Sequence, residues 1–439
     1  MGMGKRVMDS PPEDLQILIL AGGKGTRSAN PKLPKILQSI SDSTCILDLH
    51  LENISQAKFS NACFLISHGA SEVKEAVNAR KSRYPDLSIT FIEDGMATGT
   101  TEVVLQAVRN NQQFSRFLLL LGDTAISAPL RLYADSWANS ASDVAVLAHP
   151  NLHTHDSDRV SYDRDRRIVA FTSKSKPVED STDTFEIPVT GAIFFTADTA
   201  LSIDIRSSDI TKSLISSGLA KNSCSVFVTS HYFKDSGTPK RLEGIQRDFE
   251  AGVLRNRGLP RRPGIFLDRD GTLIPDAGTG RSSFSPSEMS EGIEPILAQA
   301  NKQGVPVFLV TNQPGIAKGQ ISISDVNRVH SQIASHLEHR GAFFDEIVYC
   351  PHHPEIGFAG EVAEYKVECE CRKPKPGMLR SLSDRHGIDL SRSFLIGDSE
   401  ADRKAAEAVG VTFIACSVNG IDSMPTAEAL SAALEGVLS

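Results

Sequence analysis

Nothing in this 439-residue sequence approaches a transmembrane length of apolar side chains. Residues 1–10 carry Lys5 and Arg6, but no apolar run of the signal-peptide kind follows them. Cysteine is scarce, at seven, and without a secretory leader that number does not describe a disulfide scaffold. Positive charge is in deficit: 46 Lys and Arg stand against 54 Asp and Glu, for a net charge of −8. That balance argues against a general nucleic-acid binder and against a polybasic membrane surface. No internal repeat is visible. These absences leave a cytoplasmic enzyme as the expectation, with no nucleic-acid partner and no membrane partner, and with a homo-oligomer left open.

What is present has the balance of a globular protein, 40% hydrophobic and 23% charged. The length predicts two or three domains. Strand-like runs at 16–20, 63–67, 89–93, 117–121, 144–148, 189–195 and 226–230 are interleaved with helical patterns at 71–80, 100–109 and 239–251. That alternation predicts a mostly parallel sheet covered by helices. The stretch 255–263 breaks it with one Gly, two Pro and four Arg, the composition of a linker. A second alternation then begins, with strands at 265–267, 305–310, 346–349, 393–396 and 412–416. Its helices fall near 293–302, 324–339, 377–386 and 401–409. The expected organisation is α/β throughout: one domain over 14–253, a linker over 254–263 and a second domain over 264–425.

In the first domain, Ile17-Leu18-Ile19-Leu20-Ala21-Gly22-Gly23-Lys24-Gly25-Thr26-Arg27 is a strand running into a glycine-rich turn. Glycines let backbone N–H groups approach phosphate oxygens, and Lys24 and Arg27 add charge. Two familiar loops are excluded. A Walker A loop needs Ser or Thr after Gly-Lys, where this chain has Gly25, and a dinucleotide fingerprint needs a third Gly where Ser28 stands. The loop instead resembles that of sugar-phosphate nucleotidyltransferases, and the resemblance continues down the domain. Leu33-Pro34-Lys35-Ile36-Leu37 is similar to the family's Pro-Lys segment, and Gly99-Thr100-Thr101 to its Gly-Thr segment near base and sugar. Gly122-Asp123 resembles the Mg²⁺-holding strand end, Val189-Thr190-Gly191-Ala192 the sugar-binding turn, and Asp235-Ser236-Gly237-Thr238-Pro239 the segment with the second Mg²⁺ ligand. The resemblance implies a Rossmann-like, glycosyltransferase A-like fold. A sugar 1-phosphate would attack the α-phosphorus of a nucleoside triphosphate, with Arg27 and Lys35 neutralising the triphosphate and Asp123 and Asp235 sharing Mg²⁺. Gly22, Gly23, Gly25, Thr26, Gly99, Thr100, Lys176 and Gly191 would line the substrates. Such chemistry needs no protein nucleophile; positioning and charge neutralisation do the work. The pattern departs at Ser175-Lys176-Pro177, where many relatives have a Glu before the lysine, and this leaves the sugar open. His149, His153 and His155 are irregularly spaced and read as surface histidines.

In the second domain, Ile265-Phe266-Leu267-Asp268-Arg269-Asp270-Gly271-Thr272 is a short buried strand ending in two acids, the place where open α/β sheets bind ligands. Two carboxylates at i and i+2 can divide labour as nucleophile and general acid/base. Val310-Thr311-Asn312 and Ile396-Gly397-Asp398 end two further strands, and Arg372-Lys373-Pro374 precedes a helix. In this order the segments resemble the four motifs of the haloacid dehalogenase superfamily of phosphatases, a Rossmannoid fold. The resemblance implies Asp268 as nucleophile and Asp270 as acid/base. Mg²⁺ would sit on Asp268, Asp398 and the Asp270 backbone carbonyl, Thr311, Asn312 and Lys373 would contact substrate, and Asp402 would orient the metal shell or cap its helix. Cys350-Pro351-His352 and Cys369-Glu370-Cys371 supply a Cys₃His ligand set of the closed, structural zinc type. Together with Thr311-Asn312-Gln313-Pro314-Gly315-Ile316-Ala317, the set resembles the heptose bisphosphate phosphatase branch. That resemblance selects His352 over His353 and gives Arg372 a second substrate phosphate. Histidinol-phosphate phosphatases share the zinc pattern, and the loop 276–285 is atypical. Cys45, Cys63, Cys224 and Cys416 lie near apolar residues and read as core packing.

One half would make the sugar 1-phosphate that the other consumes. The two resemblances together imply a bifunctional enzyme that converts a heptose 1,7-bisphosphate through heptose 1-phosphate to a nucleotide-heptose, with GTP as the favoured triphosphate. Another sugar phosphate, a histidinol-like phosphate, or one half acting as a silent nucleotide-sugar sensor remain open at this point.

Overall fold

The computed structural model describes residues 14–23, 33–93, 99–150, 157–174, 184–278, 280–418 and 423–439. The first domain contains β1 (Leu15–Leu20), β2 (Asn61–Ile66), β3 (Ser88–Glu93), β4 (Arg116–Leu121), β5 (Thr124–Ser127) and β6 (Val144–Ala148). It continues through β7 (Arg159–Tyr162), β8 (Ile168–Thr172), β9 (Phe185–Thr196), β10 (Cys224–Val228) and β11 (Tyr232–Asp235). Its main sheet runs β10-β6-β9-β4-β1-β2-β3, and β7 with β8 extends from β9. The ladders are parallel except where β9 lies antiparallel between β4 and β6. Side chains alternate across each strand. Ile17 and Ile19 therefore join one apolar layer with Leu118 and Leu120, while Leu18 joins the other with Phe117 and Leu119. Both layers are covered by helices, which explains the nearly unbroken apolar run of β1.

The second domain is built on β12 (Ile265–Leu267), β13 (Val307–Asn312), β14 (Glu346–Cys350), β15 (Phe394–Gly397), β16 (Thr412–Ser417) and β17 (Met424–Pro425). They form one parallel sheet in the order β14-β13-β12-β15-β16-β17. Ile265 and Leu267 face one apolar layer, and Phe266 faces the other, stacked on Phe308 at 5.5 Å. The helix Thr426–Leu438 packs Ala429, Leu430, Ala433 and Leu434 into the first of these layers. The domain thus continues past residue 425.

The stretch expected as a linker is helical over Val253–Gly258, and Val253 and Leu254 pack with Ala125, Tyr232 and Ile245. Arg257 and Arg262, in the stretch expected as a linker, are buried. Arg257 Nη1 donates to Asp345 at 2.6 Å and to the Ser230 carbonyl at 2.7 Å. Arg262 donates to Ser230 Oγ and to His231 Nε2, both at 2.6 Å. The seam between the domains is therefore polar and buried. Ser230 of the first domain meets His386 Nδ1 at 3.1 Å, and His386 Nε2 meets Glu346 at 2.6 Å. Arg166 of the first domain and Arg385 of the second both donate to that same Glu346. The Ser-His-Glu sequence has the connectivity of a catalytic triad, but all three residues are buried at the seam, so it serves as domain adhesive. His149, expected at the surface, also lies in the seam, against Phe343 and 3.9 Å from Asp345. His153 and His155 fall outside the described residues. No helix among the described residues is long and apolar enough to cross a membrane.

Candidate active sites and a metal clip

In the second domain the carboxyl ends of β12, β13 and β15 lie side by side, because β12 pairs with both neighbours in parallel register. Asp268 leaves β12 with its N–H donating to the Ile396 carbonyl at 2.9 Å. Gly271 then turns the chain at φ +82°, and a Cβ there would stand 2.1 Å from Asp398 Oδ2. The turn and the close approach both require glycine.

Lys373 reaches this point from the other side. Its ammonium donates to Asp268 Oδ1 at 2.5 Å and to the Val310 carbonyl at 2.9 Å, and it lies 2.5 Å from Asp402 Oδ1. The lysine is aimed by Asn312, whose side-chain amide bonds both the carbonyl and the N–H of Lys373 at 3.0 Å. Asn312, expected among the substrate contacts, thus acts on the lysine's backbone. Asp402 closes a capping box with Ser399, as one of its two expected roles has it, and its side chain also lies beside Asp268 and Asp398. Oxygens of Asp268, Asp398 and Asp402 lie within 4.8 Å of one another. Burial, opposed by Lys373 and reinforced by Asp402, pushes the Asp268 carboxyl up to about 7. Burial also works against the lysine's charge, but Asp268 and Asp402 outweigh it and hold Lys373 above its usual range. Three carboxyls around one ammonium leave a net negative hole, the environment that suits a hard divalent cation.

Asp270 points elsewhere. Both its oxygens accept from Arg269, and Oδ2 also accepts from Gln313 at 2.8 Å and from Thr311 at 3.4 Å. Its carboxylate therefore stands apart from the three-acid cluster. In the loop 276–285, Arg281 bonds Glu288 at 2.7 Å and the Pro275 carbonyl at 2.8 Å.

Beside the site, Cys350, His352, Cys369 and Cys371 converge. The ligand-to-ligand distances are 3.3–3.6 Å. A tetrahedral ion about 2.3 Å from sulfur gives sulfur–sulfur edges of roughly 3.8 Å, so the atoms are already close to that arrangement. His352 turns Nδ1 inward, while His353 stacks edge-on against Phe358. Hydrogen bonding to Cys350, then to Cys369 and His352, pulls the Cys371 thiol down to about 5, and the same contact with burial pushes Cys350 up. The clip leads directly into Arg372, whose Nη1 donates to the His352 carbonyl at 3.3 Å. Cys45, Cys63, Cys224 and Cys416 are buried in apolar layers.

In the first domain Gly22 and Gly23 follow β1, and a Cβ on Gly22 would lie 2.8 Å from Ser67 Cβ. Gly25, Thr26, Arg27 and Lys176 lie outside the described residues. Lys35 donates to Asp123 Oδ2 at 2.7 Å. The short antiparallel ladder of β5 and β11 places Asp235 opposite Thr124, next to Asp123, and Ser236 bonds the Asp123 carbonyl through both N–H and Oγ at 2.8 Å. Asp235 is paired with Arg241 of the helix Pro239–Glu250. Asp123 and Asp235 are thus each paired with a cationic side chain. Beneath Asp123 lies His50, buried and held down to about 4 by desolvation. Gly99 takes φ +122° at the head of the helix Thr100–Asn110, and the Thr100 hydroxyl bridges the Ser208 carbonyl and the Ile210 N–H, both at 3.1 Å. Gly191 bends β9 at φ +83°.

Sequence reasoning missed Arg269, Gln313, His330 and Arg241. Gln313 and Arg269 adjoin recognised motif residues, which is the only local signal either carries. His330 carries none.

Both domains have similar proteins among those already known. Residues 17–175 match the MobA-like NTP transferase domain family, and residues 370–429 the HAD-hydrolase-like family. A D-glycero-beta-D-manno-heptose-1,7-bisphosphate 7-phosphatase of Rhodopseudomonas palustris is 42% identical over 156 residues, covering 35% of this chain and 82% of that protein. One of Vibrio cholerae is 40% identical over 150 residues, covering 34% of this chain and 78% of that protein. Among solved structures, HddC from Yersinia pseudotuberculosis complexed with GMP-PN aligns at 20% identity and a TM-score of 0.43, covering 53% of this chain and 99% of that one.

Proposed function

Through its C-terminal domain the chain belongs to the D-glycero-beta-D-manno-heptose-1,7-bisphosphate 7-phosphatase family, and from that membership we propose a bifunctional enzyme of heptose activation. Its second domain removes the 7-phosphate of the heptose 1,7-bisphosphate. Its first domain then transfers a nucleotidyl group, GMP from GTP, to the heptose 1-phosphate and releases pyrophosphate. The observation that carries this reading is the seating of Asp268 against Lys373 and Asp402 at the sheet's carboxyl edge, in a chain whose other half has a nucleotidyltransferase domain.

Asp268 attacks phosphorus, and the bond from phosphorus to the sugar oxygen breaks as Asp270 gives that oxygen a proton. Asp270 then takes a proton from water, the water oxygen attacks the aspartyl-phosphate, and phosphate leaves with Asp268 restored. Lys373 and Thr311 hold phosphoryl oxygens, and Arg372 binds the phosphate that is retained, for which its planar fork is suited. In the first domain the oxygen of the sugar 1-phosphate attacks the α-phosphorus of the triphosphate while Lys35 and Arg27 hold the departing pyrophosphate and Lys176 the sugar phosphate. Asp268, Asp398 and the Asp270 carbonyl would hold magnesium in the second domain, and Asp123 with Asp235 in the first, where it would supply charge neutralisation. Cys350, His352, Cys369 and Cys371 would hold zinc as a structural ion, which would fix the loop that presents Arg372 and Lys373.

The test is incubation with heptose 1,7-bisphosphate and each nucleoside triphosphate in turn, with the product identified by mass spectrometry. GDP-heptose is expected. Asp268→Asn should abolish phosphate release while leaving nucleotidyl transfer to supplied heptose 1-phosphate intact. Phosphate release persisting in that variant, or no nucleotide-heptose with any triphosphate, refutes the assignment.

A further inference from the structure

Arg269 sits between the two acids of the phosphatase motif and is fully buried, and its guanidinium bonds Asp270 and His330. Nε and Nη2 donate to the two oxygens of Asp270 at 3.0 and 3.1 Å, a forked pair between adjacent residues. The third nitrogen, Nη1, meets His330 Nε2 at 3.1 Å. A guanidinium can only donate, so His330 Nε2 is the acceptor and its proton sits on Nδ1. Burial, helped by Arg269, holds His330 well below its usual range, in agreement with a neutral ring. His330 is carried by the helix Ile323–His339, whose Ser322 cap and apolar face fix it against the sheet. The imidazole is therefore a rigid acceptor anchoring the far end of the fork.

A buried guanidinium is costly unless its donors are satisfied. Here each guanidinium nitrogen has a partner, in the acid/base carboxylate itself or in a neutral histidine. Rotation of Asp270 away from its position would break two charge-assisted hydrogen bonds at once. Gln313 adds a third fixed donor to the same carboxylate.

We propose that Arg269, anchored on His330, is a positioning residue that sets the orientation of Asp270 for proton transfer to the leaving oxygen. The inference rests on Asp270 being the acid/base. It assigns a role to the residue between the two acids and to a helix residue 61 positions away.

The experiment separates positioning from mere structural support by the leaving group. An alkyl phosphate needs a proton on departure; p-nitrophenyl phosphate does not. Arg269→Lys keeps the charge and loses the fork. It should lower kcat/KM for the sugar bisphosphate by about tenfold or more, within the range that general acid catalysis supplies. For p-nitrophenyl phosphate kcat/KM should change by less than about twofold, because it reports only the steps through enzyme phosphorylation. His330→Phe, which removes the acceptor, should give the same selectivity in weaker form, and nucleotidyl transfer should be unchanged in both variants. An equal loss on both esters, or no loss on the sugar bisphosphate, overturns the proposal. Should Arg269→Lys not fold, His330→Phe alone decides by the same ratio. Asp270→Asn is the control for the underlying reading: if it retains turnover of the sugar bisphosphate, the acid/base assignment itself fails.

Discussion

A single methyl group is enough to test the geometry around Asp268. Gly271 has φ +82°, and a Cβ there would meet Asp398 Oδ2 at 2.1 Å. Gly271→Ala must displace Asp398, a member of the acid cluster, or the turn that directly follows Asp270. Phosphate release should fall by about two orders of magnitude, as expected when a reacting group is shifted by roughly an ångström, while nucleotidyl transfer stays at its wild-type rate. Parallel assays of the two activities check this, and equal loss of both would point to global unfolding. At this scale the sequence was informative wherever a functional residue ends an apolar run or sits in a fixed short spacing. Asp268, Thr311, Asp398 and the Cys350–His352 and Cys369–Cys371 pairs are of that kind. It was uninformative where a role arises from pairing through space. His330 lies in the middle of an amphipathic helix and looks like any core histidine until Arg269 is found against it. Asn312 was visible, but its partner, the backbone of Lys373, was not.

Elements differ in legibility for a similar reason. The strands β1, β4, β12 and β13 are apolar on both faces because helices cover both sides, so composition alone identified them. The ladder of β5 and β11 was missed: Thr124–Ser127 and Tyr232–Asp235 are four residues each, mixed in polarity, and have no strand-like run. Yet that ladder brings Asp123 and Asp235 together. The helix Thr426–Leu438 was missed too, although it buries a full apolar face. The loop between β14 and the helix Gly377–His386 has little regular structure and carries His352, Cys369 and Cys371 of the four-ligand clip. Metal removal should therefore act on one element. With a strong chelator, phosphate release should fall and should not recover with added Mg²⁺ alone, while zinc restores it. Nucleotidyl transfer should recover fully with Mg²⁺. Metal analysis should give one zinc per chain, lost in Cys371→Ser. A zinc-free protein with full phosphatase activity would remove the clip from the account of that site.

The two domains are joined as one body by buried polar contacts, and this is the scale at which the sequence was least legible. Arg257 and Arg262 stand in a Gly- and Pro-rich stretch that has the composition of a solvated tether. They are buried because Asp345, Ser230 and His231, distant in sequence, provide acceptors. The centre of the seam is Glu346. Burial pushes its carboxyl up, but Arg166, Arg385 and His386 together outweigh it and hold it well below the usual carboxylate range. His386 is also held below its usual value, chiefly by burial, against the pull of Glu346. Neutral His386 fits the hydrogen-bond direction: Arg262 donates to Ser230, Ser230 to His386 Nδ1, and His386 Nε2 to Glu346. Both shifts have the same sign in linkage. Each group binds its proton more readily unfolded than folded, so each contributes stability at neutral pH that is lost on acidification. For His386 the loss begins as pH falls below about 6.5, and for Glu346 it begins below about 4.5, the unfolded values. Removing the charge on Glu346 leaves two guanidiniums with no carboxylate between them, a change of about 3–5 kcal/mol for a broken buried pair. Glu346→Gln should therefore melt at a clearly lower temperature than wild type at pH 7. The gap between the two proteins should narrow as pH falls below about 4.5, where the wild-type carboxylate loses its advantage. Calorimetry of both proteins from pH 7 to pH 4 at constant ionic strength measures that gap. A gap that is absent at pH 7, or that widens in acid, would mean that the Glu346 cluster does not hold the domains together.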